Sequence, residues 1–112
     1  MQMKRVKVSI LVNDYAISGV GVIENNILKI KNNDEYIRFN LKDIIFEKKT
    51  KELSIILDFK NKVLKYSIPE TDKEFYNEIK VLSLTNSDKE YNIMYQMEEK
   101  VFNLKITYEK EK

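Results

Sequence analysis

Alternation constrains this chain more than any other feature. Period-two alternation of apolar side chains dominates the first 68 residues. A period of two is the signature of a half-buried strand. Val6, Val8, Ile10 and Val12 alternate with Lys7, Ser9 and Leu11. A second strand is expected from Ile17 to Glu24, ending at a tight turn on Asn25-Asn26. Asparagine suits such turns because it tolerates left-handed backbone. Leu28 and Ile30 then point one way and Lys29 and Lys31 the other, before a turn at Asn32-Asn33-Asp34. Ile37, Phe39 and Leu41 alternate with Arg38 and Asn40, a bend falls at Lys42-Asp43, and Ile44 to Glu47 resumes a strand. Leu53, Ile55, Leu57 and Phe59 share a face, Lys60-Asn61 turns, and Leu64, Tyr66 and Ile68 face the core. About seven short strands at hairpin spacing predict an antiparallel barrel or sandwich.

The pattern changes at Pro69. Thr71-Asp72-Lys73-Glu74 reads as a capping box, in which the Thr71 hydroxyl and the Glu74 carboxylate each accept from the other residue's amide. Glu70, Asp72 and Glu74 suit the positive end of a helix. Phe75, Ile79 and Leu82 follow at helical spacing, which predicts one amphipathic helix from Thr71 to Leu84. The last segment alternates twice. Tyr91, Ile93, Tyr95 and Met97 form one set, and Phe102, Leu104, Ile106 and Tyr108 the other. A hairpin turning at Glu98-Glu99-Lys100 is the favoured reading, although Tyr91, Met94 and Tyr95 also fit a helical face. The expected fold class is therefore mainly β with one helix (α+β), in a single domain over residues 1–112.

This order of elements resembles the pleckstrin-homology-like superfold, including GRAM-type and bacterial PH-like domains. The likeness rests on Gly21-Val-Ile-Glu-Asn-Asn-Ile-Leu-Lys-Ile30 as a hairpin and Ile37-Arg-Phe-Asn-Leu-Lys-Asp-Ile-Ile45 as the strand after it. Ile55 to Ile68 then resembles the last hairpin, and Thr71 to Leu84 the capping helix. The resemblance implies a PH-like barrel over residues 6–84, with residues 90–109 as a C-terminal β-hairpin extension. It also implies a binding role in which basic residues on early strands meet anionic lipid headgroups or inositol phosphates.

Two absences bear on chemistry. The chain has no cysteine and no histidine, which excludes disulfides, Ser-His-Asp and Cys-His catalysis, and ordinary zinc sites. No activated nucleophile or base can be named, so the expectation is a non-enzyme without metal or cofactor. Lys and Arg total 20 against 18 Asp and Glu, a net charge of +2, and Arg5 and Arg38 are the only arginines. Bidentate reading of phosphate or guanine favours arginine, so this balance argues against nucleic acid as a partner. The first apolar run alternates and has no small-residue cleavage site, unlike a secretory leader. No stretch approaches the roughly 18 apolar residues of a spanning helix. A cytoplasmic location is expected.

The residues offer several candidate sites. Lys29, Lys31 and Arg38 fall on one face of adjacent strands, where they can give charge-assisted hydrogen bonds to phosphate. The bland alternative is a solvated outer face whose lysines discourage edge pairing. Lys48, Lys49 and Lys51, with Lys60 and Lys62, flank the strand from Leu53 to Phe59 at its two ends and should remain solvated. Gly19-Val-Gly21 lacks the rest of a phosphate loop and reads as a bulge or barrel corner. Asp43, Asp58, Glu70, Asp72 and Glu74 read as turn and cap residues, not as a metal loop or catalytic pair. Near the C-terminus, Tyr91, Ile93, Tyr95, Met97, Phe102 and Leu104 form either core or a partner surface, since aromatics and Met are enriched at interfaces. The leading expectation is a protein-interaction module that pairs with itself or a protein partner through this hairpin. A peripheral anionic-phospholipid or inositol-phosphate binder, and a small inhibitor or adaptor, are the alternatives.

Overall fold

The computed structural model describes residues 3–32 and 34–110, which form eleven β-strands in one antiparallel sheet. The strands are β1 (Lys4–Val12), β2 (Tyr15–Glu24), β3 (Ile27–Asn32), β4 (Glu35–Asn40), β5 (Ile45–Lys49) and β6 (Ser54–Asp58). They continue as β7 (Val63–Ile68), β8 (Lys73–Glu78), β9 (Lys80–Ser87), β10 (Glu90–Met97) and β11 (Lys100–Lys110). Across the sheet the order is β8-β7-β6-β5-β4-β3-β2-β1-β11-β10-β9. Strands β8 and β9 are thus the two outer members, yet only Ile79 separates them in the chain. One residue spans only a few ångströms, so the two ends of the sheet must meet. The sheet curls into a nearly closed barrel, and residues 73–87 act as one long strand. Its first part bonds to β7 and its second to β10. At the junction the Ile79 amide donates to the Lys62 carbonyl at 3.0 Å.

Alternation sends one face of every strand inward, as the sequence predicts. Val6, Val8 and Ile10 of β1, Leu28 and Ile30 of β3, Ile37 and Phe39 of β4, and Leu104 and Ile106 of β11 are all buried. The core is crossed as well as lined. Phe39 meets Tyr91 edge to face, with ring centroids 5.0 Å apart. The Tyr91 hydroxyl donates to the Leu41 carbonyl at 3.1 Å, joining β10 to the turn after β4.

Local chemistry sets the turns. Asn25 and Asn26 adopt φ of 53° and 65°, the left-handed pair that a two-residue hairpin requires. The Asn40 side-chain carbonyl accepts from the Lys42 and Asp43 amides at 3.0 and 2.9 Å, which makes the expected bend. Asp58 does the same for the Lys60 and Asn61 amides at 3.1 and 3.0 Å. The turn expected at Asn32-Asn33-Asp34 includes Asn33, which lies outside the described residues.

The expected α+β fold is corrected. Among the described residues there is no helix, and the barrel has eleven strands where about seven were expected. The segment read as a capping helix is the end of a turn followed by β8 and most of β9. Asp72 has a φ of 54°, which a helical first turn does not allow. The Thr71 hydroxyl donates to the Ile68 carbonyl at 3.2 Å and accepts the Lys73 amide at 3.4 Å, so it serves a β-turn and not a cap. Phe75, Tyr76, Ile79, Val81 and Thr85 are β-branched or aromatic residues, which fit a pleated surface better than a helix. The C-terminal hairpin is a wall of the barrel, because β11 pairs with β1 from Val6 opposite Lys110 to Val12 opposite Leu104. With the helix gone and the hairpin integral, the structure does not carry the division into a PH-like core and an extension.

The two glycines of β2 differ in kind. Strand β2 pairs with β1 from Tyr15 to Ile23, but with β3 only from Gly21 to Glu24. Gly21 therefore sits where β2 and β3 part, the barrel corner anticipated for this segment. A Cβ there would lie 2.5 Å from the Lys29 carbonyl oxygen and 3.2 Å from side chains of Val8 and Ile30. At Gly19 the nearest atom would be 4.0 Å away. Gly21→Ala is expected to destabilise the barrel by about 1–3 kcal/mol. Gly19→Ala should change stability by less than about 0.5 kcal/mol. Urea unfolding of both variants checks the contrast.

Candidate functional site

The barrel is filled unevenly. Around Phe39, Tyr91 and Leu41 the interior is closed by rings and the cross-barrel hydrogen bond. Elsewhere the inward faces leave a cavity of about 260 Å³. Its wall is built from Val12 and Ile17 of β1 and β2, Phe46 of β5, Ile55 and Leu57 of β6, Leu64 of β7, and the β10–β11 pair. Tyr95, Met97 and Phe102 supply that last side, with Tyr95 and Phe102 stacked at 5.3 Å and Tyr95 edge-on to Phe59 at 5.2 Å.

Lys48 is the one charged residue among those lining the cavity. It is in phase with Phe46 on β5 and opposite both Ile37 and Ile55, so the pleat turns it inward. Its ammonium lies 5.1 Å above the ring of Tyr15, another lining residue, and 3.5 Å from the Glu35 carboxylate. The two side chains of this ion pair are 25% and 27% exposed, so the pair sits at the rim. Tyr95 is the second polar feature. It is 4% exposed, and burial pushes its phenol up to about 12 with no hydrogen bond opposing the shift. A buried hydroxyl normally finds a partner. Tyr91 is also raised by burial, but a hydrogen bond from Asn86 offsets part of that effect.

The residues singled out from sequence fall into three groups. Lys29 and Arg38 are directly opposite each other on β3 and β4, with Lys31 opposite Tyr36, so the basic strip exists on the outer face. Glu47 of β5 is level with Arg38 on its other side, which interrupts the positive run. Tyr91, Ile93, Tyr95 and Leu104 are buried, and Met97 and Phe102 are half-buried on the cavity wall. The set expected as a partner surface is therefore barrel interior. Asp43 and Asp58 shape turns, and Glu74 is held below the usual carboxylate range by the Tyr76 hydroxyl and Lys65. Among the described residues, no cluster of acidic side chains could hold a metal ion, and no helix is long and apolar enough to cross a membrane.

Lys48 was legible and missed. Grouped with Lys49 and Lys51 as a solvated run, it is separated from them by phase: continuing the alternation from Phe46 puts Lys48 inside. Tyr15 is likewise in phase with Ile17 on β2.

Tyr95 sets a pH dependence. Its folded pKa of about 12 exceeds the ordinary 10.0, so the native state holds its proton longer than the unfolded chain does. The stability this contributes is complete below pH 10.0 and is lost as the pH rises toward about 12. Tyrosinate absorbance followed with far-UV circular dichroism should show late ionisation coinciding with unfolding. Tyr95→Phe should remove that component. Comparison with protein-family models, curated proteins and solved structures finds no match for this chain.

Proposed function

We propose that the barrel binds a small apolar ligand carrying one acidic group, with the apolar part in the cavity and the acid at Lys48. A single juxtaposition carries this reading: an apolar pocket whose one charged lining residue is a cation at the rim. Ligand pockets are typically apolar with a few convergent polar groups that fix orientation. Glu35 supports the choice of an acid, because Lys48 already takes a carboxylate at this point. Tyr95, whose phenol is raised by burial, also lines this cavity. The volume of about 260 Å³ falls just below the roughly 300–1,000 Å³ usual for drug-sized ligands. A short acyl chain or a single aromatic ring with a carboxylate is the matching class. The strip of Lys29, Lys31 and Arg38 favours phosphate less, since Glu47 lies beside it.

Titration calorimetry with octanoate, using octanol as the uncharged control, tests the reading. Octanoate should bind more tightly than octanol. Lys48→Gln should weaken octanoate about tenfold, the loss of a charge-assisted hydrogen bond, and leave octanol unchanged. Glu35→Gln should tighten octanoate by freeing Lys48. Tyr95→Phe should stabilise the unliganded barrel by up to about 1 kcal/mol. Equal affinity for octanoate and octanol, or octanoate binding indifferent to Lys48→Gln, would refute the proposal.

A further inference from the structure

The barrel wall has a gap beside the cavity. Strand β2 pairs with β1 from Tyr15 to Ile23, but with β3 only from Gly21 to Glu24. Among the described residues, Tyr15 to Val20 therefore have a ladder on the β1 side alone. Continuing the register would set Gly19 level with Asn32, where β3 ends. The β3–β4 hairpin thus stops short, and the β1–β2 hairpin runs on past it. Gly19 pairs with Val8, which is 2% exposed, so it faces inward in phase with Ile17 and Tyr15. Gly19 itself is exposed, and a Cβ on it would meet a single side-chain atom, of Ile30 at 4.0 Å. An inward-facing position that opens to solvent marks a notch in the wall. The next two inward positions along β2, Ile17 and Tyr15, line the cavity.

We infer that ligand enters the cavity sideways through this notch, over Gly19, and that the Tyr15 side chain is the lid. The inference rests on the reading of the cavity as a site for an apolar acid, and adds how that site is reached. Tyr15 is 52% exposed although it lines the cavity, so its ring stands between the interior and solvent. Lys48 reaches the ring from the β5 side of the gap, with its ammonium 5.1 Å above it, and Glu35 at the start of β4 holds that ammonium at 3.5 Å. The backbone under the ring is fixed. Tyr15 pairs with Val12, and in the turn between them the Asn13 amide donates to the Asn103 carbonyl at 3.0 Å. The Asn13 side-chain oxygen accepts the Asn103 amide at 2.9 Å. Opening is therefore a rotation of the side chain about a held hairpin, a motion that exposed residues make within nanoseconds. The other end of the barrel is closed by Phe39, Tyr91 and the hydrogen bond to Leu41. An acid at Lys48 competes with the Tyr15 ring and Glu35 for the same ammonium. Ligand thus passes in by its apolar end and leaves its acid at the notch.

The chain has no cysteine, so Leu57→Cys places a single thiol on the cavity wall. Its rate of alkylation by iodoacetamide reads access to the interior. In that background Tyr15→Ala should raise the rate about threefold, the shift expected from losing one cation–π contact. Gly19→Leu, which puts a side chain into the open space, should lower it by a similar factor. The rates should not change with urea below the unfolding transition, because the native barrel is the species that reacts. Leu64→Cys, also on the wall, is the second reporter if Leu57→Cys fails to fold. A rate that climbs with urea, or one that ignores both Tyr15→Ala and Gly19→Leu, overturns the inference. Octanoate calorimetry separates that result from failure of the site itself. Octanoate bound through Lys48, with a thiol rate indifferent to both substitutions, leaves the site standing and overturns the entrance. Thiol rates that respond as expected while octanoate does not bind uphold the entrance and reject the ligand class.

Discussion

The passage of the chain through Ile79 is the constraint on which the rest of the barrel depends. Strands β8 and β9 are the outermost members of the sheet, and one buried residue joins them. A flat sheet of eleven strands would hold its edges about 47 Å apart, ten spacings of about 4.7 Å. Only a curled sheet satisfies that covalent link. Curling in turn gives every strand an inside, and period-two alternation fills that inside with Val, Ile, Leu and Phe. Closure is incomplete because each half of the long strand has one partner. That stagger explains both free edges and the exposure of β8, whose side chains are mostly solvent-facing.

The same curvature explains why the interior has a cavity at all. Phe39 and Tyr91 cross one part of the barrel, and Tyr91 anchors there through Leu41. Toward Lys48 the cavity is lined by Ile55, Leu57 and Leu64. Tyr95 and Phe102 stack along the β10–β11 wall, and Tyr95 reaches Phe59 beyond β6. A lysine can occupy an inward position there only because the ammonium reaches the rim, where Glu35 and the Tyr15 ring receive it. The aliphatic stem then counts as cavity wall.

Most of the strands were legible in the sequence because alternation reports burial directly. The faces of Val6 to Val12, of Leu28 and Ile30, and of Leu64 to Ile68 follow from phase alone. So does the turn at Asn25-Asn26. The segment from Thr71 to Leu84 was misread for an identifiable physical reason. Strand β9 carries an extra residue at Leu82, where its register against β10 shifts between Met94 and Tyr95. A bulge resets the phase of a strand, so Phe75, Ile79 and Leu82 fall by coincidence at helical spacing. The capping-box pattern is equally ambiguous, since Thr and Asp serve β-turns as readily as helix starts. Closure was not legible. It depends on which strands are neighbours, and neither the β1–β11 pairing nor the meeting of β8 and β9 leaves a local trace.

The two unpaired edges show how differently one strand can be treated along its length. Its first half has Lys73, Glu74 and Glu78, and Glu74 is already engaged by Lys65 at 3.4 Å and by Tyr76 at 2.9 Å. Tyr76 also lies near Lys65, 5.9 Å from ammonium to ring centroid, so this edge is crowded with local polar contacts. Tyr66 and Phe75 stack at 4.8 Å on the opposite face of the same hairpin, and Tyr66 packs against the core. The second half has the polar contact of Asn86 with Tyr91. Its inward neighbours Ile93 and Tyr95 are core, its outward side is uncharged over seven residues, and its bulge leaves Leu82 without a cross-strand partner. Apart from Lys80 at its start, the part paired with β10 is uncharged, whereas the part paired with β7 carries Lys73, Glu74 and Glu78.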